Sequence, residues 1–214
     1  MPADRPARSR RDALIVAGLF ALGFAVLGGA WFQSTNGVFA QSSEPLDTGG
    51  PYLVIEVAGA ASGEVVIDLR DDAAPLHAER LITLAESGAY DGVVFHRVIE
   101  GFMAQTGDVL FGRHGEDISQ AGMGGSELPN LPAEFSRLPF ERGVVGMARS
   151  ADPNSANAQF FITFAPARHL NGQYTVVGRV VSGMEVVDAI TRGDPAQNGL
   201  VATPDRMERV TVRR

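Results

Sequence analysis

A chain of 214 residues, 45% of them hydrophobic and 20% charged, can bury one globular core and carry an appendage. Its formal net charge of -7 lacks the basic field of a nucleic-acid binder, so no nucleic-acid partner is expected. With no cysteine, disulfides, thiolate nucleophiles and thiolate metal ligands are excluded.

Residues 1–12 form a basic segment holding Arg5, Arg8, Arg10 and Arg11, and residues 13–32 then run without a charge. Twenty such residues reach the roughly 20 needed to span a bilayer, whereas the apolar region of a signal peptide is about 7–15 long. Length favours a membrane anchor. Gly18, Gly23, Gly28 and Gly29 dilute the hydrophobicity, however, and Val38-Phe39-Ala40 offers a small-residue cleavage site, so a cleaved export signal stays open. Either way the arginines predict an N-terminus inside and an exported, periplasmic domain outside, by the general route or, from Ser9-Arg10-Arg11, the twin-arginine route. Residues 33–51 read as a flexible linker, rich in Gly and Pro toward its end, with the folded part at 52–214.

YLVIEV and EVVIDL alternate at period two around a glycine-containing turn and predict a hairpin. Residues 71–88 change to a helical period, with Leu76, Arg80, Leu81, Leu84 and Ala85 on one face, Pro75 near the start and Gly88 at the end. Strands follow at 93–98 and 103–106, joined by a turn at Glu100-Gly101. Residues 109–132, with five glycines and two prolines, are the least structured stretch; loops of this length are often functional. Further strands are expected at 144–147, 159–164, 175–181 and 207–212, and a second helix at 182–192 with Ser182 as cap. Many short strands and two helices argue for an antiparallel barrel or sandwich.

No metal or nucleophile pattern emerges. His77, His96, His114 and His169 are scattered without ligand spacing, and Ser126 lacks the context of a strained nucleophile. Asp71, Asp72, Glu141 and Arg142 read as solvated charges. The stretch VVFHRVIEGFMAQTGD, residues 93–108, stands apart because it sets Arg97 and Gln105 among Phe102 and Met103. Taken alone it allows two readings, a salt-bridged strand arginine with a snorkelling stem or a site.

FHRVIEGFMAQTGD, GMARSADPNSANAQFFITF and HLNGQYTVVGRV, in this order and spacing, resemble the cyclophilin-type peptidyl-prolyl isomerases over residues 52–212. The resemblance implies a mainly β fold, a closed eight-stranded antiparallel β-barrel capped by two α-helices, here preceded by the N-terminal hydrophobic helix. It further implies a monomeric enzyme without cofactor or metal that rotates Xaa-Pro bonds in proline-containing segments of folding proteins. Arg97 would hydrogen-bond the prolyl nitrogen, with Gln105 and Phe102 as its catalytic companions. Met103, Phe161 and Leu170 would wall the ring pocket, and Ala148, Arg149 and Gln159 would line the groove for the preceding residues. His169 and Tyr174 stand at the pocket's edge, where many relatives carry tryptophan and histidine, and Glu100 stands where proline is frequent. A binding module without turnover and a purely structural barrel are the alternatives.

Overall fold

The computed structural model describes residues 47–214. The basic segment 1–12, the apolar stretch 13–32 and the linker up to residue 46 lie outside the described residues. Among the described residues no helix is long and apolar enough to cross a membrane.

The hairpin forms as β1 (Tyr52–Ala58) and β2 (Gly63–Leu69), antiparallel from Tyr52 opposite Asp68 to Val57 opposite Gly63. Leu53, Ile55 and Val57 are buried on alternate positions of β1, while β2 is covered on both faces. Packing begins before Pro51: Thr48 donates to Asp68 Oδ2 through its N–H (2.8 Å) and its hydroxyl (2.7 Å).

Helix α1 (Pro75–Glu86) starts on the proline whose missing N–H needs no partner there. It lacks a local side-chain cap, and Glu134 supplies one from afar, accepting from the N–H of Leu76 (3.2 Å) and His77 (3.1 Å) with His77 Nδ1 at 2.6 Å. The buried face holds His77, Ala78, Arg80, Leu81, Ile82, Leu84 and Ala85. Leu76 is 49% exposed, because at about 100° per residue it falls off the face centred on Leu81.

The strand expected at 93–98 is broken into β3 (Val93–Val94) and β4 (Arg97–Ile99), with β5 (Met103–Thr106) following the turn. The break has a cause: β3 pairs with β9 (Arg206–Arg213) and β4 with β5, so the chain changes partners at Phe95-His96. The remaining strands are β6 (Val144–Met147), β7 (Phe160–Thr163) and β8 (Val176–Ser182). The described strands form one nine-stranded antiparallel sheet in the order β3-β9-β1-β2-β8-β6-β7-β5-β4. The sheet is curled, and its two edge strands are consecutive pieces of one segment that do not pair with each other. Helix α1 packs on β9, β1 and β8, and α2 (Met184–Ala189) on β2. Ser182 does not cap α2. It is held in the ladder opposite Val66, and Gly183 occupies the cap position without a side-chain bond.

Strand alternation divides the apolar residues into two clusters. Leu53, Ile55, Leu81, Phe95, Ala104, Phe160 and Ile162 belong to the main core. Met103, Phe140, Val144, Phe161, Leu170 and Val176 form a second cluster, with Phe102, Ala148 and Tyr174 packed partly exposed against it.

The glycine-rich stretch 109–132 has few regular elements but is firmly held. Asp108, fully buried, accepts from the N–H of Leu110 (3.1 Å) and Phe111 (2.9 Å) on Oδ1 and of Gly122 (2.8 Å) and Gly124 (2.9 Å) on Oδ2. Asn157 Oδ1 accepts from the N–H (2.7 Å) and hydroxyl (2.8 Å) of Ser126, and Arg80 donates to the Pro129 carbonyl (2.7 Å).

Candidate active site

Register builds the site. Arg97 lies opposite Gln105, Gln105 opposite Phe161, Phe161 opposite Gly146, and Gly146 opposite Val176, a single row across β4, β5, β7, β6 and β8. Because side chains alternate along a strand, this row and Met103 share the face of the second cluster, while Ala104, Phe160 and Ile162 point to the core. Gly146 leaves room in the row: a Cβ there would stand 2.5 Å from the Phe161 ring and 2.6 Å from the Phe140 ring. Those rings stack at 5.8 Å.

A cavity of about 310 Å³ opens on this face. Arg97, Gln105, Phe102 and Met103 line one side, and Phe161, Leu170, His169, Tyr174, Ala148 and Arg149 the rest. His169 and Leu170 come from a 3₁₀ turn, Arg168–Leu170, and the His169 ring lies 5.4 Å from that of Phe102. Tyr174 meets Phe161 edge-on at 5.9 Å and carries the Arg149 guanidinium 4.4 Å above its ring. Gln159 does not line the cavity. The glycine loop covers it, and its Nε2 donates to the Gly124 carbonyl (2.7 Å) while its Oε1 accepts from Gln105 Nε2 (2.9 Å).

The amides orient one another in a single direction. Gly124 O fixes Gln159, Gln159 Oε1 fixes Gln105, and Gln105 Oε1 is thereby turned to accept from Arg97 Nη1 (3.1 Å). Arg97 also donates from Nε to the Asn198 carbonyl (3.0 Å) and from Nη2 to Asn198 Oδ1 (3.0 Å). Among the described residues its acceptors are therefore all neutral, and the salt-bridge reading fails there. Three of the five guanidinium N–H donors are engaged, leaving two. Partial burial lowers the Arg97 pKa, yet arginine stays a cation at neutral pH. Glu100 turns away to pair with Arg192 (2.5 Å). No group of three or more His, Asp or Glu side chains that could hold a metal occurs among the described residues.

The family model described as cyclophilin type peptidyl-prolyl cis-trans isomerase/CLD matches residues 52–212. The chain belongs to this family. Among relatives of the cyclophilin, a probable peptidyl-prolyl cis-trans isomerase of Brucella suis is 58% identical over 152 residues, 70% of this chain and 78% of that one. Peptidyl-prolyl cis-trans isomerase CYP18-1 of Arabidopsis thaliana is 36% identical over 154 residues, 70% of this chain and 90% of that one. Among solved structures, cyclophilin AquaCyp293 from Hirschia baltica superposes with TM-score 0.62 at 25% identity, covering 75% of this chain and 73% of its own. A Cryptosporidium parvum cyclophilin, crystallised in the presence of the dipeptide Ala-Pro, gives TM-score 0.65 at 24% identity over 76% of this chain and 99% of its own. The cyclophilin described here is thus an enzyme of the peptidyl-prolyl cis-trans isomerase class.

Sequence reasoning missed Asn198 and Asp108. The Asn198-Gly199 dipeptide carried a turn signal, since both residues tolerate positive φ, and both adopt it (54° and 81°). Nothing local in the sequence marked Asp108 as the anchor of a loop beginning at the next residue.

Proposed function

We propose that the cavity takes the proline ring of an Xaa-Pro segment against Met103, Phe161 and Leu170, and that Arg97 catalyses rotation by donating to the prolyl nitrogen. The barrier, about 18–20 kcal/mol, comes from amide resonance, so no covalent step is required. As the C–N bond twists, the nitrogen lone pair localises and becomes an acceptor. A donor waiting there stabilises the twisted state and has little to grip in either planar state, which is differential binding of the transition state. The observation that carries this reading is the guanidinium bordering the cavity with, among the described residues, two unengaged donors and no carboxylate partner. The proline ligand extends to this chain the dipeptide chemistry of its Cryptosporidium neighbour. Gln105 holds Arg97 and faces the substrate backbone, while Phe102 and His169 form the rim.

The clients on this reading are exported proteins, an assignment supported by the arginines of residues 1–12 followed by the uncharged stretch 13–32. N-terminal sequencing of the mature protein with membrane fractionation tests it; a domain recovered in the cytoplasm with its first residues intact refutes it.

The catalytic assignment is tested in a protease-coupled proline-peptide assay. A charged hydrogen bond of about 1.5–3 kcal/mol predicts a fall of roughly 10- to 150-fold in kcat/KM for Arg97→Ala. Undiminished activity of that variant refutes the role of Arg97.

A further inference from the structure

We infer that Asn198 is a positioning residue for catalysis, acting through Arg97; this rests on the isomerase reading of the site. Its backbone carbonyl accepts from Arg97 Nε (3.0 Å) and its Oδ1 from Nη2 (3.0 Å), so one residue presents a two-pronged neutral acceptor to one edge of the guanidinium. A planar guanidinium held at two points along one edge and at Nη1 by Gln105 is restrained against rotation about its own axis. Its two remaining N–H donors are thereby fixed in direction.

The prong is itself rigidly mounted. Asn198 follows the 3₁₀ turn Pro195–Gln197 in the left-handed conformation, φ 54°, the one positive φ of a non-glycine residue among those described. Asp194 organises the turn: its carboxylate accepts from the Ala196 N–H (2.8 Å) and Gln197 Nε2 (2.8 Å), and its carbonyl from the Gly199 N–H (2.8 Å). The turn is sewn to the strand that carries Arg97, through Val98 N–H to the Gly199 carbonyl (2.8 Å) and Gly193 N–H to the Val98 carbonyl (2.9 Å). Gly199 sits so near β4 that a Cβ on it would stand 2.5 Å from Ile99. Asn198 and Arg97 therefore share one rigid frame although 101 residues separate them.

The chemistry of the prong matters. An amide orients the cation without neutralising it, whereas a carboxylate in the same place would compensate the charge that the prolyl nitrogen is to meet. A merely structural Asn198 would serve only to occupy a left-handed turn, a duty that glycine performs equally well. Glycine keeps the backbone carbonyl but removes Oδ1, so Asn198→Gly separates the two roles.

The test measures proline-peptide affinity and the on-enzyme cis-trans exchange rate by NMR, with melting temperature as control, for the wild type, Asn198→Gly, Arg97→Lys and the double variant. The expected result is about a 10-fold slower exchange in Asn198→Gly at unchanged peptide affinity and unchanged melting temperature. In the Arg97→Lys background, where no planar edge meets the prong, the same substitution should change the rate less than twofold. A glycine variant within twofold of the wild type overturns the inference, as does an equal loss in both backgrounds. A wild-type protein that fails to accelerate exchange would instead overturn the isomerase reading beneath it.

Discussion

Asp108→Asn removes one negative charge from a side chain that is fully buried and bonded to four backbone N–H groups. The amide that replaces the carboxylate has one acceptor oxygen. If its NH₂ takes the place of Oδ2, it faces the donors of Gly122 and Gly124; if it flips, it faces those of Leu110 and Phe111. Two buried donors lose their acceptor either way, and the survivors lose the charge that strengthened them. At about 1–3 kcal/mol per buried group left unsatisfied, with some relaxation of the loop, the loss is about 3 kcal/mol. For a domain of this size that lowers the melting temperature by about 6–12 °C. Thermal unfolding followed by circular dichroism reads the effect, and Asp108→Ala, which strips all four donors, should melt lower still. The loop also delivers the Gly124 carbonyl to Gln159, so kcat/KM should fall in both variants at temperatures where they remain folded. An asparagine variant melting within about 2 °C of the wild type would refute the reasoning, since the orphaned donors would then have found other partners.

Gly146→Ala forces a methyl group to within 2.5 Å of the Phe161 ring, and because the stacked Phe140 is fully buried behind it, the ring's way out is into the cavity. The variant should stay folded at a cost of about 1–3 kcal/mol yet bind proline peptides at least about 10-fold more weakly by titration; unchanged affinity would place the ring pocket elsewhere. His96 is 2% exposed, and burial lowers its pKa to about 4 against the opposing pull of the nearby Asp108 charge and the Val94 backbone. Above about pH 6.5 both folded and unfolded states hold it neutral; as pH falls from there toward 4, only the unfolded state gains the proton, so its contribution to stability is lost on acidification. Urea titrations from pH 7 to 4.5 should show His96→Leu losing less stability than the wild type by about 2–3 kcal/mol; parallel losses would refute the assignment.

The part of this fold that could be read in advance is the part written in period two. Met103 and Gln105 alternate with Ala104 and Thr106, and Phe161 with Phe160 and Ile162, so the division between a core face and a site face is carried by neighbouring letters. The failures share a different physics. Ser182 satisfies the pattern of a helix cap but is claimed by the ladder opposite Val66, a tertiary contact that outbids a local preference. Glu134 caps α1 from 57 residues away as measured to His77, and Asn198 reaches Arg97 from 101. Such partners are decided by where loops land, and no window of sequence holds both ends. The glycine-rich stretch looked unstructured for the same reason: its order comes from Asp108, Asn157 and Arg80 rather than from its own residues.

Arg97 is best understood beside the other arginines. Arg142 pairs with Asp188 (2.5 Å), Arg192 with Glu100 (2.5 Å) and Arg206 with Glu208 (2.6 Å), each meeting a carboxylate, whereas the buried Arg80 donates to the Asn157 and Pro129 carbonyls and Arg113 to those of Asp91 and Ala89. Arg97 is half-buried, which raises the penalty of leaving a charge uncompensated, and the acidic chain has carboxylates to spare. Each hydrogen-bond acceptor of its guanidinium among the described residues is nonetheless an amide oxygen: Asn198 twice and Gln105 once, with Gln105 oriented by Gln159 and Gln159 by a glycine carbonyl. A carboxylate at any of these positions would stabilise the resting guanidinium and weaken its attraction for a lone pair that appears only in the twisted peptide. The neutral relay does the opposite. It orients the cation without pairing its charge, which is the arrangement that the proposed role of Arg97 requires.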